Sequence, residues 1–279
     1  NNKYVAVGKD GKIFISPDAS EGSWTAAPVN PENGGNRLNS VTFGDGVFVA
    51  VGRNGSILSS QDGGDTWIKQ ENAQGNVELN KVKYLNDTFF IVGGTMVFTS
   101  NTGLDGSWTI LNTPVDNPLR NITTHNTTIN VPPAYVAVGD FGTIITTTDL
   151  NNWTVHNAGS AEDFLDVAFV NVFGPGTFLV LGDSGQIFQS QQLNEGGPLV
   201  LSDWMPVGNG VAGGLSISFA NNYFVVVGAG GTIHSSQDGV FWNEMDSNSV
   251  KDLNDIIYAN GRFITVGNES EIVINPDQI

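Results

Sequence analysis

A short phrase recurs along the whole chain: a run of β-type hydrophobic residues ends in Val-Gly or Leu-Gly, and an Ile often follows a few residues later. The glycines that end these runs are Gly8, Gly52, Gly93, Gly139, Gly182, Gly228 and Gly267. They are separated by 44, 41, 46, 43, 46 and 39 residues. This is the period of a four-stranded propeller blade and is too long for most helical solenoids. The repeat therefore predicts an all-β fold, a seven-bladed β-propeller of four-stranded antiparallel blades.

The repetition runs from Tyr4 to Ile274 without a break, which predicts a single domain over residues 1–279. The first repeat starts at its second strand and the last repeat ends at its third strand, so each terminal repeat is expected to have three strands. We expect closure of the propeller to bring these two repeats side by side.

The second repeat shows the unit most clearly. Strand A, Leu38 to Phe43, alternates apolar and polar residues, and strand B, Val47 to Val51, is almost entirely apolar. Strand C follows at Ser56 to Ser60, and a turn then leads into a polar outer strand D. This order of hydrophobicity predicts that B is buried between neighbouring blades and that D forms the outer edge.

The turn between strands C and D has the sequence Ser-x-Asp-x-Gly-x-Thr-Trp, with Ser60, Asp62, Gly64 and Trp67 at its defining positions. A form shorter by one residue recurs with Ser236, Asp238, Gly239 and Trp242, and all six tryptophans occupy this place in their repeats. A residue repeated in every blade favours a structural role, in which Asp caps turn amides and Trp fills the gap between outer strands. The alternative is a set of aromatic platforms for sugars.

These turns, together with the Val-Gly-x-x-Gly-x-Ile phrase and openings such as Leu38-Asn39-Ser40-Val41, resemble the BNR/Asp-box repeat propellers over essentially the whole chain. The octapeptide Ser60 to Trp67 is then an Asp-box. The closest resemblance is to the photosystem II assembly/stability factor-like group, which implies a seven-bladed, non-enzymatic fold. The same box occurs in sialidases, other glycosidases and receptors, so the resemblance leaves the activity open. The arginine-rich patch associated with the assembly factors is not matched by the four arginines of this chain.

The formal net charge of −17, with only 11 Lys and Arg residues, argues against binding to nucleic acid or to an anionic membrane surface. We instead expect a cation or a basic protein segment to be attracted. The chain has no cysteine, which excludes disulfides, thiol nucleophiles and zinc–thiolate sites. No apolar run is long enough for a membrane span. We expect no cofactor, no bound metal, no direct membrane insertion, a monomer, and an exported location that is periplasmic, cell-surface or secreted.

The sequence gives only weak signals for a catalytic site. A sialidase-like arginine triad could use only Arg37, Arg53 and Arg120, and the tyrosines fall at strand positions shared with Phe. A glycosidase needs two carboxylates across a cleft, and spacing singles out none of the candidates, which are Asp140, Asp166, Asp183, Asp255 and Glu269. The three histidines, His125, His156 and His234, lack the spacing of metal ligands.

Polar residues recur at the entrance to strand A, and we predict that they form a ring around one mouth of the central channel, where a small ligand could bind. The members are Asn39, Asn80, Asn121, Asp166 and Asn254, with Ser216 in the sixth copy. The alternative is that these side chains only satisfy backbone groups at strand starts. Two enlarged connections, His125 to Pro133 and Gln191 to Leu201, break the symmetry and form a second candidate surface.

These observations favour a non-catalytic binding or assembly scaffold that recognises a protein or a glycan through a propeller face. The competing hypothesis is a carbohydrate-active protein, either a lectin or a glycoside hydrolase.

Overall fold

The computed structural model describes residues 3–20, 22–27, 34–71, 75–125, 133–171, 176–191 and 200–275. The chain forms two compact units, Asn1–Ile122 and Thr123–Ile279. Apart from short 3-10 turns, the regular structure of the described residues is entirely β. No helix in these ranges is long and apolar enough to cross a membrane.

The first unit contains eleven strands and the start of a twelfth. Their bounds are β1 Tyr4–Val7, β2 Ile13–Ser16, β3 Thr25–Ala26, β4 Leu38–Gly44, β5 Val47–Gly52, β6 Ile57–Ser60, β7 Ile68–Lys69, β8 Leu79–Leu85, β9 Thr88–Gly93, β10 Met96–Ser100, β11 Thr109–Asn112 and β12 Leu119–Thr124. The 3-10 turns here are Lys9–Gly11 and Arg53–Gly55.

The second unit contains the remaining strands. Their bounds are β13 Tyr135–Gly139, β14 Thr143–Thr147, β15 Thr154–Asn157, β16 Phe164–Val170, β17 Thr177–Gly182, β18 Ile187–Gln191, β19 Met205–Val207, β20 Gly214–Ala220, β21 Tyr223–Gly228, β22 Ile233–Ser236, β23 Asn243–Met245, β24 Leu253–Ala259, β25 Arg262–Gly267 and β26 Ile272–Asn275. The 3-10 turns here are Ala229–Gly231 and Asn268–Ser270.

These strands form seven consecutive antiparallel sheets, and each sheet is one blade. Five sheets have four strands in chain order, and we call these strands A to D: β4 to β7, β8 to β11, β12 to β15, β16 to β19 and β20 to β23. The first sheet, β1-β2-β3, corresponds to B, C and D, and the last, β24-β25-β26, corresponds to A, B and C. The prediction of an all-β fold of seven antiparallel blades is confirmed.

The hydrophobic core lies between the faces of consecutive sheets. Strand β5 is buried at all six positions, whereas the D strand of the same sheet, β7, is exposed throughout. In the first unit the core cluster joins Val49 and Val51 of β5 to Phe89 and Ile91 of β9. Because B strands are covered on both faces, they can be apolar at every position, whereas D strands border solvent.

The terminal glycines of four B strands, Gly52, Gly93, Gly228 and Gly267, lie very close to the backbone carbonyl that precedes strand A. A Cβ added to Gly52 would overlap the carbonyl oxygen of Arg37, which precedes strand A, and Gly228 stands in the same relation to Gly213. The backbone of Gly52 is extended, at φ −173°, so glycine is required by the close approach and not by its dihedral angle. The next residue, Arg53, donates its N–H to the same Arg37 carbonyl at 2.9 Å. We call this contact the A–B seam.

Each buried tryptophan packs against the aromatic residue of its own B strand. Trp67 lies 6.3 Å from Phe48 between ring centroids, and the pairs Trp204–Phe178 and Trp242–Phe224 both lie at 6.4 Å. Trp67 also donates its indole N–H to the carbonyl of Gly64 at 2.9 Å. The tryptophan therefore anchors the turn between strands C and D to the core.

We expect Trp67→Ala to lower the free energy of unfolding by about 3–5 kcal/mol, because it leaves a cavity beside Phe48. Trp67→Phe keeps most of the ring volume and loses the N–H bond to Gly64, so it should cost only about 1 kcal/mol. Urea unfolding followed by tryptophan-independent circular dichroism measures both. Equal stabilities of the two variants would contradict an anchoring role.

Candidate functional site

The start of strand A is bulged, and this bulge sorts the predicted ring residues into two groups. In β4, Leu38 pairs with Gly52 and Ser40 pairs with Val51, so Asn39 is the extra residue. Asn80 and Asn254 occupy the same bulge position in β8 and β24. Asp166, by contrast, is the next residue along, and it pairs with Leu181. The five predicted residues therefore do not occupy equivalent places. Phe164, and not Leu165, takes the place of Leu38, so Asp166 stands one position further along its strand than Asn39.

The bulge residues of the first unit join neighbouring blades. Asn39 donates its side-chain amide to the carbonyl of Leu79 at 2.9 Å, and Asn80 donates to the carbonyl of Leu119 at 2.7 Å. Asn254 is exposed and donates to the Asn268 side chain at 3.0 Å within its own sheet. Two of the three bulge amides therefore satisfy the backbone at the start of the next blade.

The residues after the bulge are mostly buried and satisfy backbone donors. Asn121, which stands two residues after Leu119 in β12, accepts the N–H of Ile122 at 2.7 Å. Ser40 exchanges hydrogen bonds with the backbone of Val82, its oxygen lying 3.2 Å from the nitrogen. Whether any of the five predicted ring residues binds a ligand stays a prediction.

Asp166 is the centre of a polar network in the second unit. Its side chain is 3% exposed, and it accepts the N–H groups of Val167 at 2.7 Å and Ile217 at 3.0 Å. The Ser216 hydroxyl lies 2.7 Å from Asp166 and 3.1 Å from Asp255, so its single proton is available to two carboxylates. The network links the inner strands of three consecutive sheets and encloses Asp166, which leaves this carboxylate out of reach of a substrate.

Two other residues considered for catalysis form ion pairs. Arg53 pairs with Glu78 at 3.4 Å, and Glu269 pairs with Lys251 at 3.2 Å. Burial lowers the pKa of His125, His156 and His234, which keeps these three imidazoles uncharged at neutral pH. Within the described ranges no group of three or more His, Asp or Glu side chains is arranged to hold a metal ion.

The Ser-Asp-Trp turns, as we call the turns at Ser60–Trp67 and Ser236–Trp242, are held by their acidic side chains. Asp62 accepts the N–H of Thr66 at 2.9 Å and its hydroxyl at 2.5 Å. These bonds lower the pKa of Asp62 to about 2. Asp238 likewise accepts the N–H groups of Val240 and Phe241 at 2.8 and 2.9 Å.

Both turns also need their glycines. Gly64 and Gly239 have φ values of +93° and +74°, and a Cβ on Gly239 would lie 2.5 Å from Leu179 in the preceding blade. The Asp and Gly residues of these turns therefore serve local geometry.

Phe141, at the turn between strands B and C of the fourth blade, was missed by sequence reasoning. It is 67% exposed and adopts the left-handed conformation at φ +54°. The equivalent turn residues with positive φ are Asp10, Asn54, Gly230 and Glu269. A bulky aromatic side chain is unfavourable in this conformation. The signal in the sequence was a large apolar residue at a turn position where other copies have small or polar ones.

The turn around Phe141 is acidic. Its N–H is held by the side chain of Asp163 at 3.1 Å, and Asp140 precedes it in the chain. Residues 123–279 contain sixteen Asp and Glu residues, and their only Lys or Arg residues are Lys251 and Arg262. An exposed aromatic ring in such a surrounding suits a partner that carries both apolar and positively charged groups.

The enlarged connections predicted as a second surface fall largely on residues 126–132 and 192–199, which lie outside the described residues.

We expect Asp166→Asn to lower the free energy of unfolding by about 1–3 kcal/mol, because an amide group replaces an acceptor oxygen in a buried network of donors. Asn254→Ala, at an exposed strand-A residue, should change it by less than about 0.5 kcal/mol. Chemical denaturation measures both variants. If Asp166→Asn matched the wild type, the network would not hold the strands.

The lowered pKa of Asp62 predicts an acid-dependent stability. Its folded-state pKa of about 2 lies below the ordinary 3.8, so its contribution is present above the ordinary value and is lost as pH falls through the folded one. Asp62→Asn should therefore flatten the decrease in Tm between these two values. Asp65→Asn, which removes a carboxylate that bonds Lys3 rather than the turn backbone, is the control. If the Tm of Asp62→Asn fell with pH as steeply as that of the wild type, the prediction would be contradicted.

No protein-family model and no curated protein sequence matches this chain. Solved structures do match it over its full length. YCF48 bound to D1 peptide has a TM-score of 0.73 at 18% identity and covers 100% of this chain and 89% of its own. YCF48 from Cyanidioschyzon merolae has a TM-score of 0.71 at 17% identity, covering 100% and 92%.

The WD40 β-propeller domain of Doa1 is similar to the same degree, with a TM-score of 0.72 at 14% identity and coverage of 100% of this chain and 90% of its own. At these identities the likeness establishes the fold alone. Together with the seven antiparallel sheets, it assigns this chain to the seven-bladed β-propellers.

Proposed function

We propose that this protein is a non-catalytic binding or assembly scaffold that recognises a segment of another protein. The observation that carries the proposal is Phe141, an aromatic ring that is 67% exposed and held in a left-handed turn. An aromatic residue that is both strained and exposed lowers the stability of the fold. A role in binding therefore explains its presence better than a structural role does. A solved structure with the same fold, that of YCF48, contains a bound peptide.

The chemistry of the surface indicates the class of partner. Acidic residues surround Phe141 in a unit with only two Lys and Arg residues, so the segment should combine basic side chains with an apolar anchor. Of the candidates for acid–base chemistry, Asp166 is buried and Glu269 is ion-paired. This distribution favours recognition over hydrolysis.

Peptides that bind the wild type can be selected from a random phage-displayed library. We expect these peptides to bind the Phe141→Asn variant at least tenfold more weakly than the wild type. The variant should keep or slightly raise its Tm, because Asn tolerates the left-handed conformation. Phe241→Asn, at a phenylalanine that is 71% exposed on a Ser-Asp-Trp turn, is the matched control and should bind normally. Binding should also weaken between low and physiological salt.

Selected peptides that bind Phe141→Asn as tightly as the wild type would contradict the proposed surface. A glycan array and a panel of chromogenic glycosides test the carbohydrate-active alternative. A signal on either would replace the scaffold proposal.

A further inference from the structure

The dipeptide Asn-Gly occurs four times in this chain, at Asn33-Gly34, Asn54-Gly55, Asn209-Gly210 and Asn260-Gly261. In such a pair the glycine nitrogen can attack the side-chain amide carbon of the asparagine, because glycine has no side chain to hinder the approach. The dipeptide is the same in every copy, so the fold decides which copy reacts. Asn33 lies outside the described residues, and the other three copies can be compared.

The pair Asn54-Gly55 is held by hydrogen bonds on both of its residues. Gly55 is buried and donates its N–H to the carbonyl of Val77 at 2.7 Å. Asn54 donates its side-chain amide to the Asn36 side chain at 2.8 Å. The N–H of the preceding residue, Arg53, belongs to the A–B seam. Attack by the Gly55 nitrogen therefore requires several hydrogen bonds of the blade to break together.

The pair Asn209-Gly210 is held by fewer contacts. The Asn209 side-chain oxygen accepts the N–H of Trp242 at 3.3 Å. A Cβ on Gly210 would lie 2.7 Å from the carbonyl oxygen of Gly185, so the backbone of this pair is packed against a neighbouring turn. We expect intermediate protection at this pair.

The pair Asn260-Gly261 is the whole loop of the hairpin between β24 and β25. Ala259 pairs with Arg262 across this loop, and the two loop residues have φ values of +51° and +81°. Both are exposed, and a Cβ on Gly261 would meet nothing within 4 Å. The Gly261 N–H has no acceptor among the residues that the structure describes. Opening of this loop therefore disturbs only the tip of one hairpin.

The exposure of this loop is a property of its position in the blade. Gly46, at the tip of the hairpin between β4 and β5, has a φ of +80° and also meets nothing within 4 Å. Asn86 and Asn221, at the tips of the hairpins β8–β9 and β20–β21, are exposed as well. These three hairpins belong to sheets that have a described sheet before and after them in the chain. Neighbouring blades therefore leave such a tip in solvent.

We propose that Asn260 is a site of spontaneous deamidation, a covalent modification that the fold suppresses at Asn54. The Gly261 nitrogen loses its proton to solvent base and forms a bond to Cγ of Asn260. The bond from Cγ to Nδ2 then breaks and releases ammonia. Water opens the resulting succinimide at one of its two carbonyl groups, which gives aspartate or isoaspartate. The reaction consumes only water, and it does not depend on the binding surface around Phe141.

The two products have different consequences for the hairpin. Aspartate tolerates the left-handed conformation, as Asp10 and Asp45 do in other turns, so it adds one negative charge and keeps the loop. Isoaspartate carries the chain through its side-chain carbons and lengthens the backbone by one atom. The longer loop no longer fits the pairing of Ala259 with Arg262. Only the isoaspartate form should therefore lose hydrogen-exchange protection at this end of β24 and β25.

The test incubates the folded protein at mildly alkaline pH and follows each Asn-Gly peptide by mass spectrometry after digestion. Alkaline pH is used because the reacting nitrogen must lose its proton. We expect Asn260 to react at least about tenfold faster than Asn54, with Asn209 between them. The same protein in urea is the matched control, because every copy then has an unfolded backbone and the rates should converge.

Two variants separate the effect of the fold from that of the dipeptide. Gly261→Asn gives this loop the residues of the Asn221-Asn222 loop, whose φ values of +51° and +65° are also left-handed. It should keep its Tm and slow the reaction at Asn260 at least about tenfold, because a side chain now stands beside the attacking nitrogen. Asn36→Ala removes the acceptor of the Asn54 amide, and it should speed the reaction at Asn54 while leaving the rate at Asn260 unchanged.

The proposal is overturned if Asn54 reacts as fast as Asn260 in the folded protein. It is also overturned if folding slows Asn260, relative to its rate in urea, as strongly as it slows Asn54.

Discussion

The A–B seam fixes strand A to strand B in four blades, at Gly52, Gly93, Gly228 and Gly267. The carbonyl that precedes strand A lies so close to the terminal glycine of strand B that no side chain fits between them, as at Gly52 and Gly267. The close approach lets the following N–H reach the same carbonyl, so the inner strand is fixed at one end by sterics and hydrogen bonding together. The bulge comes directly after this fixed point. Asp166 and Ser216 are the residues that follow the bulge in their strands, and their side chains lie 2.7 Å apart.

Electrostatics divides the acidic residues into two populations with different consequences. Asp62 and Asp149 are local caps. Hydrogen bonds from the Thr66 hydroxyl and N–H to Asp62, and from the Asn152 N–H and side chain to Asp149, lower each pKa to about 2. The hydrogen bonds of its own turn stabilise the negative charge of each aspartate. Most other carboxylates of residues 123–279 have no cation near them in sequence, and mutual repulsion in such a surface opposes the compact state. A basic partner relieves that repulsion, so the same charge that destabilises the free protein favours its complex.

Much of the fold could be predicted from the sequence, because a period of about 43 residues and an apolar B strand in each copy leave few alternatives. The burial of β5 and the exposure of β7 followed from hydrophobicity alone. The register of strand A could not be predicted in this way. The bulge breaks the simple alternation of apolar residues, and Leu165 looks like the counterpart of Leu38 although Phe164 takes that place. Asn39 and Asp166 therefore looked equivalent in sequence and are not equivalent in the structure.

The candidate site was only partly predictable for a related reason. Polar residues near strand starts drew attention because ligands need polar contacts, yet Asn39 and Asn80 use their amides to join blades. Phe141 was overlooked because an apolar residue next to a strand is usually interpreted as part of the hydrophobic core. Its exposure depends on the left-handed turn, a backbone property that sequence hydrophobicity does not report.

Repetition separates architecture from function at Phe141. There the backbone of the repeat is kept while the residue changes, because Asp10, Asn54, Gly230 and Glu269 hold the same left-handed conformation in other blades. The change to phenylalanine costs strain on the order of 1 kcal/mol. It also leaves an apolar ring 67% exposed. A protein segment with an apolar side chain can cover such a ring, whereas a small polar substrate cannot.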